Sequence, residues 1–238
     1  MLPTNDACLL IFVRYPKRGE VKRRLSLILD EDTVLDLYRC FVIDTMSLAF
    51  RVSVPFIICY TPSESLSLFK KWLGSSYDYA PQTGRDLGER MMNSFQYAFK
   101  HGYKRVVLIG SDCPDLPERL VSDAYESLGK HDVVLGPAAD GGYYLIGLRE
   151  QALDPTLFQG VEWGASNVFN ETMNRCSLKG YTVSVLPQWW DVDTCDDLVA
   201  MIKRNKDSSF MDSNTMRYIK NKEINTWIVK RDVLHPYK

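Results

Sequence analysis

The sequence predicts an α/β fold with a mainly parallel sheet. Short apolar runs of strand length alternate along the chain with longer amphipathic stretches, and this alternation is typical of parallel strands joined by crossover helices. The runs are apolar on both faces, which suits a central sheet covered on two sides. The 238 residues are 45% hydrophobic and 25% charged, and this ordinary globular composition excludes disordered, collagen-like and coiled-coil proteins.

The elements follow from local patterns. Six apolar runs rich in Val, Ile, Leu, Phe and Tyr are expected to form strands at 8–13, 54–60, 106–109, 133–135, 143–148 and 181–186. Apolar residues spaced by three and four predict helices at 32–50, 86–99, 117–128, 167–178 and 194–202. Strand signals stop after Lys203, so we expect a loop at 204–213 and a last helix at 215–225. A single domain over 1–238, with a core of about 7–203, is the simplest organisation.

Charge and cysteine content narrow the class of protein. The net charge of −1 gives no global basic field for nucleic acid. The longest apolar run, residues 7–13, is far shorter than the roughly 20 residues of a membrane span, and residues 1–6 lack the pattern of a signal peptide. The six cysteines form no CxxC pair, so we expect no zinc site and a reduced, cytoplasmic protein.

A basic loop follows the first predicted strand, at the end of the sheet where ligands bind in such folds. Residues 14–24 contain six basic residues and one acid, a net charge of +5, so the rest of the chain sums to −6. Such a loop suits a polyanionic ligand, because guanidinium and ammonium groups bind phosphate oxygens. The alternative is a solvated basic loop. The expected phosphate-binding residues are Arg14, Lys17, Gly19, Lys22 and Arg24.

Two acidic segments also occupy favourable positions. Asp112 directly follows the predicted strand 106–109 inside a Gly- and Pro-containing turn, where a carboxylate suits Mg²⁺ or Mn²⁺. Asp115 nearby is instead expected to cap the next helix. Late in the chain, Asp193 precedes Thr194, which can itself cap a helix. Asp193 is therefore a candidate second metal ligand, with Asp191 as the competing candidate.

Further candidates lie in loops. Asp140 precedes paired glycines and is expected to orient an acceptor or act as its base, although a hairpin turn explains an Asp-Gly sequence equally well. We expect acceptor contacts from Gly141, Gly142, Tyr143 and Trp163, the last of which is otherwise a half-buried aromatic. Gln82, with Gly84 nearby, could read a nucleobase through its amide, or simply belong to a polar loop that precedes a cap at Asp86.

Five motifs occur in order over about residues 7–200. They are Phe12-x-Arg14-x-Pro16-x-x-Gly19-x-Val21-Lys22-x-Arg24-Leu25, Asp86-Leu87-Gly88-Glu89-Arg90, Gly110-Ser111-Asp112-Cys113-Pro114-Asp115-Leu116-Pro117, Gly136-Pro137-x-x-Asp140-Gly141-Gly142-Tyr143 and Asp191-Val192-Asp193-Thr194-x-x-Asp197-Leu198. Together they resemble a bacterial and archaeal family of predicted glycosyltransferases with the GT-A fold, long grouped as a domain of unknown function. That family is similar to the nucleotide-diphospho-sugar transferase superfamily and to the guanylyltransferase of coenzyme F420 synthesis.

The resemblance implies a three-layer α/β/α domain with a mixed sheet that binds a nucleotide and a divalent metal. It places phosphates on residues 14–24 and the metal on Asp112 and Asp193. In the first loop, Arg18 stands where the family usually has a proline and Arg23 where it usually has a threonine, and Gly164-Ala165 stand where hydroxyl residues often follow Trp163. The glycine-rich triphosphate loop of many nucleotidylyltransferases is also absent, because the loop has only Gly19.

Three functions are compatible with these residues. The first is a glycosyltransferase that uses a nucleotide-diphospho-sugar and Mg²⁺ or Mn²⁺, in which Lys22 and Arg24 share the charge of the departing diphosphate and Asp140 binds or deprotonates a small-molecule acceptor. The second is a nucleotidylyltransferase that activates a small phosphorylated metabolite with NTP. The third is a nucleotide-binding protein without turnover. The missing glycine-rich loop favours the first over the second.

Overall fold

The computed structural model describes residues 6–224. Its strands β1 to β7 span Ala7–Arg14, Phe56–Thr61, Asp78–Pro81, Arg105–Ile109, Val133–Pro137, Tyr143–Arg149 and Val183–Val185. Its helices α1 to α7 span Glu31–Val52, Leu66–Leu73, Leu87–Lys100, Glu118–Ser127, Val168–Leu178, Cys195–Arg204 and Asn214–Asn221. Among residues 6–224, no helix has both the length and the apolar character needed to cross a membrane.

The strands form one mixed, mainly parallel sheet, as the sequence predicts. Within residues 6–224 the sheet has seven strands in the order β3-β2-β1-β4-β6-β5-β7. Strand β6 runs antiparallel to its neighbours β4 and β5, and the other pairs are parallel. β1 and β4 lie side by side at the centre, which explains why their residues are almost entirely buried.

Two elements were not expected from the sequence. Helix α2 is only eight residues long, and β3 is a four-residue strand that contains an aspartate and a proline. Both residue types are uncommon within strands, and proline is tolerated mainly at sheet edges. β3 is in fact an edge strand, paired only with β2.

The chain divides into two compact units. Unit 1 comprises 6–15, 48–111 and 116–190, and unit 2 comprises 16–47, 112–115 and 191–224. Whether these units form one domain, as expected from the sequence, stays a prediction.

Unit 1 contains the sheet and the helices that cover it. Met91 and Phe95 of α3 and Cys176 of α5 pack in one cluster with Val106 and Leu108 of β4. The opposite face carries Val107 and Gly147, and a Cβ added at Gly147 would lie only 3.2 Å from the side chain of Leu128, which follows α4. Helices therefore lie on both faces, which confirms the three-layer α/β/α arrangement.

Unit 2 has its own core, formed where the first part of α1 packs with α6 and α7 in a cluster that includes Phe41, Leu198 and Met216. Asp44 of α1 adds a polar contact at 5% exposure. Its carboxylate accepts hydrogen bonds from the backbone N–H groups of Asn214 at 2.9 Å and Thr215 at 2.8 Å. α7 is thus attached to α1 by both apolar packing and a buried carboxylate.

Candidate functional site

The side chain of Lys22 lies between two carboxylates of unit 2. Its Nζ donates to Asp193 Oδ1 at 2.7 Å and forms an ion pair with Asp112 Oδ1. Both oxygens therefore contact the same nitrogen, so the expected proximity of Asp112 and Asp193 is observed. We call these two side chains the carboxylate pair.

Backbone contacts hold the carboxylate pair in place. The N–H of Val192 donates to the carbonyl oxygen of Asp112 at 2.9 Å, which joins the segment after β4 to the segment before α6. Thr194 caps α6 in a capping box with Asp197, so Asp193 is not used as the cap. The side chain of Asp193 is thereby available to face Lys22, as the sequence pattern suggests.

Lys22 is almost completely enclosed, with a side chain 4% exposed, whereas those of Asp112 and Asp193 are 51% and 39% exposed. Burial by itself lowers the pKa of Lys22, but the attraction of Asp112 and Asp193 outweighs it and raises the pKa above the usual lysine value. The ammonium also lies 6.0 Å from the centroid of the Phe41 ring, within range of a cation–π attraction. Lys22 is therefore a buried, charged lysine.

The backbone at Lys22 is unusual. Its φ of 45° lies in the left-handed region, which is uncommon for residues other than glycine and costs about 1–3 kcal/mol. The carbonyl oxygen of Lys22 accepts from Leu25 N at 2.9 Å and from Ser26 N at 3.3 Å, at the start of a short 3-10 helix, Leu25–Leu27. These bonds keep the residue in a conformation that directs its side chain to the carboxylate pair.

The other cations of the basic loop are largely paired with local acids. Lys17 contacts Glu20 at 2.5 Å, and Arg18 contacts Glu31 at 3.0 Å and Asp32 at 3.2 Å. Arg24 is 73% exposed, with Nη1 4.0 Å from Asp193 Oδ2. Exposed pairs of this kind are weak, so a phosphate could displace them. The phosphate-binding roles of Lys17 and Arg24 stay predictions.

Two further predicted phosphate-binding residues, Gly19 and Arg14, lie at a turn and at the end of a strand. Gly19 has a φ of +71°, a left-handed turn conformation that suits glycine. Arg14 is the exposed last residue of β1 and belongs to unit 1.

The donor set of unit 2 is compatible with a divalent cation. Within the described part of the chain, no three His, Cys, Asp or Glu side chains group together as a metal site. Mg²⁺ is commonly bound by only one or two carboxylates, with water and phosphate completing its shell. Asp112 and Asp193 already bind one cation together, the ammonium of Lys22. The two carboxylates therefore fit a divalent metal ion.

Asp140 lies in the loop that joins β5 to β6. Its Oδ1 accepts from Gly142 N at 2.9 Å in an exposed turn, and the two strands are antiparallel, so the hairpin interpretation describes this loop. Gly141 has a φ of +94°, and an added Cβ would lie 1.9 Å from the carbonyl oxygen of Ser166. The paired glycines therefore have a packing reason, and the acceptor-binding roles of Asp140, Gly141 and Gly142 stay predictions.

Tyr143 and Trp163 pack at the margin of the core of unit 1. The hydroxyl of Tyr143 contacts the sulfur of Met91 at 3.9 Å, and burial raises the pKa of Tyr143 above its usual value. Trp163 is half-buried, and a Cβ at Gly88 would lie 2.7 Å from its indole. Its buried Nε1 has no hydrogen-bond partner within residues 6–224. These contacts match the interpretation of Trp163 as a half-buried aromatic, and acceptor binding by Tyr143 and Trp163 stays a prediction.

The loop before α3 is ordered by its own contacts. Gln82 is 8% exposed, and its Nε2 donates to the carbonyl oxygen of Cys59 at 2.7 Å. One amide donor is thus already engaged, and base reading by Gln82 stays a prediction. Gly84 has a φ of +141°, and a Cβ there would lie 2.7 Å from the Cβ of Glu89. Asp86 caps α3, as expected.

Asp115 is not the cap that the sequence suggests. The residue before α4 is Pro117, and no side chain caps this helix. The carboxylate of Asp115 is instead buried and accepts hydrogen bonds from Arg204 and Asn205. Sequence reasoning missed this contact because 89 positions separate Asp115 from Arg204, and no local pattern connects them.

Residues 45–165 match the model of a family described as "Uncharacterized protein conserved in bacteria (DUF2064)". The chain belongs to the DUF2064 family. A comparison with curated proteins found no match.

Similar proteins of known structure identify the fold. A crystal structure from Desulfovibrio desulfuricans G20, assigned provisionally as a nucleotide-diphospho-sugar transferase, is 41% identical over 95% of this chain and 97% of that chain, with a TM-score of 0.90. The CMP:2-keto-3-deoxy-manno-octonic acid synthetase complexed with CTP is 11% identical over 84% of this chain and 99% of that chain, with a TM-score of 0.53. Rv0371C of Mycobacterium tuberculosis H37Rv, solved with manganese, is 12% identical over 83% of this chain and 98% of that chain, with a TM-score of 0.50. This member of DUF2064 therefore has the fold of nucleotide-diphospho-sugar transferases.

Proposed function

We propose that this protein is a metal-dependent glycosyltransferase that uses a nucleotide-diphospho-sugar donor. The observation that carries the proposal is the convergence of Asp112 and Asp193 on one cation, Lys22, beside a basic loop. The 41% identity to a protein described as a nucleotide-diphospho-sugar transferase supports the donor class.

The candidate residues of unit 2 then have the following roles. Asp112 and Asp193 would hold Mg²⁺ or Mn²⁺, which when bound would supply positive charge against the departing diphosphate. Lys22 and Arg24 bind diphosphate oxygens, where charge-assisted hydrogen bonds are strong. Lys17 and the N–H of Gly19 add contacts from the same loop. In unit 1, Asp140 remains our candidate for binding or deprotonating the acceptor.

A second candidate is a nucleotidylyltransferase. The observation that favours it is the fold shared with a synthetase that was solved with CTP, since the two activities need the same charges around a polyphosphate. In that reaction Lys22 would stabilise attack at the α-phosphorus, and pyrophosphate would leave. The single glycine of the loop, Gly19, favours sugar transfer, because few backbone amides are offered to a triphosphate.

Ligand-induced thermal stabilisation tests the proposal. The melting temperature is measured with nucleotides and nucleotide-sugars, with and without Mn²⁺, because a ligand that binds only the native state raises it. We expect a nucleotide-sugar to stabilise the protein only when Mn²⁺ is present. Asp112→Asn should lose this effect, whereas the matched surface variant Asp196→Asn should retain it.

Product analysis separates the candidates. Each stabilising ligand is incubated with the protein and a set of small-molecule acceptors. Release of nucleoside diphosphate from a nucleotide-sugar supports glycosyl transfer, and release of pyrophosphate from an NTP supports nucleotidyl transfer instead. Stabilisation by nucleotides that is equal in wild-type protein and Asp112→Asn would contradict the metal assignment.

A further inference from the structure

Lys22 occupies the position that a metal shared by the carboxylate pair would need. One oxygen of each carboxylate already contacts the Lys22 Nζ. A cation that contacts these same two oxygens would lie between the two carboxylates, within a few ångströms of the nitrogen. Two positive charges cannot share this position, because they would overlap and repel each other.

The surroundings of Lys22 indicate that this placement is stable. The side chain is 4% exposed, and its ammonium lies over the ring of Phe41, which is itself fully buried. Its left-handed backbone conformation is held by two hydrogen bonds to its carbonyl oxygen. Backbone strain that persists at one residue is characteristic of functional positions.

We propose that Lys22 competes with the divalent cation for the carboxylate pair and keeps the metal out until nucleotide phosphates arrive. This inference rests on the proposed function, because it takes a metal and a nucleotide as the ligands of this site. When both bind, the ammonium exchanges its carboxylate partners for phosphate oxygens. Metal alone must displace Lys22 without offering it a new partner.

The charges explain why metal and nucleotide should then bind cooperatively. The two carboxylates carry two negative charges, and Lys22 neutralises one of them at close range. Arg24 adds little to this balance, since it is 73% exposed and 4.0 Å from Asp193. A metal that arrives with phosphates brings the anion to which Lys22 can move, so each ligand favours the other.

Binding of Mn²⁺ in the absence of nucleotide tests the competition directly. The free ion is measured by electron paramagnetic resonance during titration of the full-length protein. Lys22→Met should bind Mn²⁺ about tenfold or more tightly than the wild type, because the metal no longer displaces a charge-assisted contact. Arg18→Met removes a positive charge from the same loop, at an exposed residue with no role in the proposed site, and should leave Mn²⁺ affinity unchanged.

Two further variants make the test specific. Asp112→Asn combined with Lys22→Met should abolish the gain in affinity, which assigns it to the carboxylate pair. Lys22→Gln is a second replacement in case Lys22→Met does not fold. Both single variants are expected to fold, because Asp112 and Asp193 are 51% and 39% exposed and remain hydrated without Lys22.

Chemical labelling provides an independent readout. Acylation of Lys22, followed by mass spectrometry of its peptide, should be slow in the protein alone because the amine is buried and ion-paired. High Mg²⁺ should accelerate acylation of Lys22 but not of Lys206, an exposed lysine with its own acidic neighbour Asp207. An unchanged rate for Lys22 at Mg²⁺ concentrations that saturate the protein would contradict displacement.

The outcomes separate this inference from the proposed function. Equal or weaker Mn²⁺ binding by Lys22→Met, with tight binding by wild-type protein, would overturn the competition and leave the metal assignment intact. Absence of Mn²⁺ binding in every variant, with or without nucleotide, would overturn both. A gain of affinity that persists in the double variant would place the metal elsewhere and also overturn the inference.

Discussion

Arg204 binds Asp115 through two parallel hydrogen bonds. Nε donates to Oδ2 at 2.6 Å and Nη2 donates to Oδ1 at 2.8 Å, and the carboxylate is fully enclosed. Asn205 Nδ2 donates to Oδ2 as well, at 2.6 Å. This contact attaches the short segment 112–115, which includes Asp112, to the end of α6 within unit 2.

We expect Asp115→Asn to destabilise the protein by about 3 kcal/mol, because removing one partner leaves the charge of Arg204 in a largely buried site. The free energy of unfolding is measured by urea denaturation. Glu118→Gln, a partly exposed acid near the start of α4, is the control and should change stability little. A loss below about 0.5 kcal/mol for Asp115→Asn, the size of an ordinary surface change, would show that the contact contributes little.

Replacement of one carboxylate of the pair should affect ligand binding more than folding. Asp193→Asn is expected to lose stabilisation by nucleotide with Mn²⁺, because it removes a negatively charged ligand from the proposed metal site. The melting temperature without ligand should fall only modestly, because the buried ammonium of Lys22 keeps Asp112 as an ion-pair partner. Thermal denaturation with and without ligand measures both quantities. Asp191→Asn tests the competing candidate, and greater loss in this variant would transfer the metal role to Asp191.

A methyl group at Gly141 should be costly for steric reasons. Its Cβ would lie 1.9 Å from the Ser166 carbonyl oxygen, so the backbone must move. Gly164 has a similar φ of +103°, but a Cβ there meets nothing within 4 Å. We expect Gly141→Ala to lower the free energy of unfolding by about 1–3 kcal/mol more than Gly164→Ala. Chemical denaturation of both variants measures this difference, and equal losses would mean that only the φ angle matters.

Stability should fall in alkaline solution because of buried thiols. Burial raises the pKa of Cys59 from 9.0 to about 12 and that of Cys176 from 9.0 to about 11. Thiols in the unfolded chain ionise near pH 9.0, whereas the folded ones keep their protons. Ionisation therefore stabilises the unfolded state relative to the folded state. This contribution to stability is complete below pH 9.0 and declines as pH rises towards about 12.

Urea denaturation at a series of pH values from neutral upwards measures this decline. Cys59→Ala should reduce the slope of unfolding free energy against pH above 9.0, whatever its effect at neutral pH. An unchanged slope would mean that the Cys59 thiol does not contribute.

Much of the architecture was predictable because it depends on local patterns. Central strands such as β1 and β4 are long apolar runs, and helix α6 begins at a capping box that is visible in the sequence. The edge strand β3 was missed because its residues, Asp78–Pro81, have low strand propensity and are held only by pairing with β2.

The site was predictable only in part. The position of Asp112 after a strand and of Asp193 before a capped helix indicated their proximity. The placement of Lys22 between them was not predicted, because a lysine in a basic loop indicates a phosphate ligand and not a carboxylate partner. Asp115 was also misassigned, because a carboxylate just before a helix predicts a cap. Its actual partners, Arg204 and Asn205, lie far along the chain, where no local pattern points to them.

The carboxylate of Asp44 also has a consequence for local opening of the chain. Backbone N–H groups at the start of a helix normally exchange quickly with deuterium, because they have no carbonyl partner within the helix. The N–H groups of Asn214 and Thr215 are instead bonded to a residue in the middle of α1. They should therefore exchange only when α7 separates from α1, so that two segments 170 positions apart open as one cooperative unit.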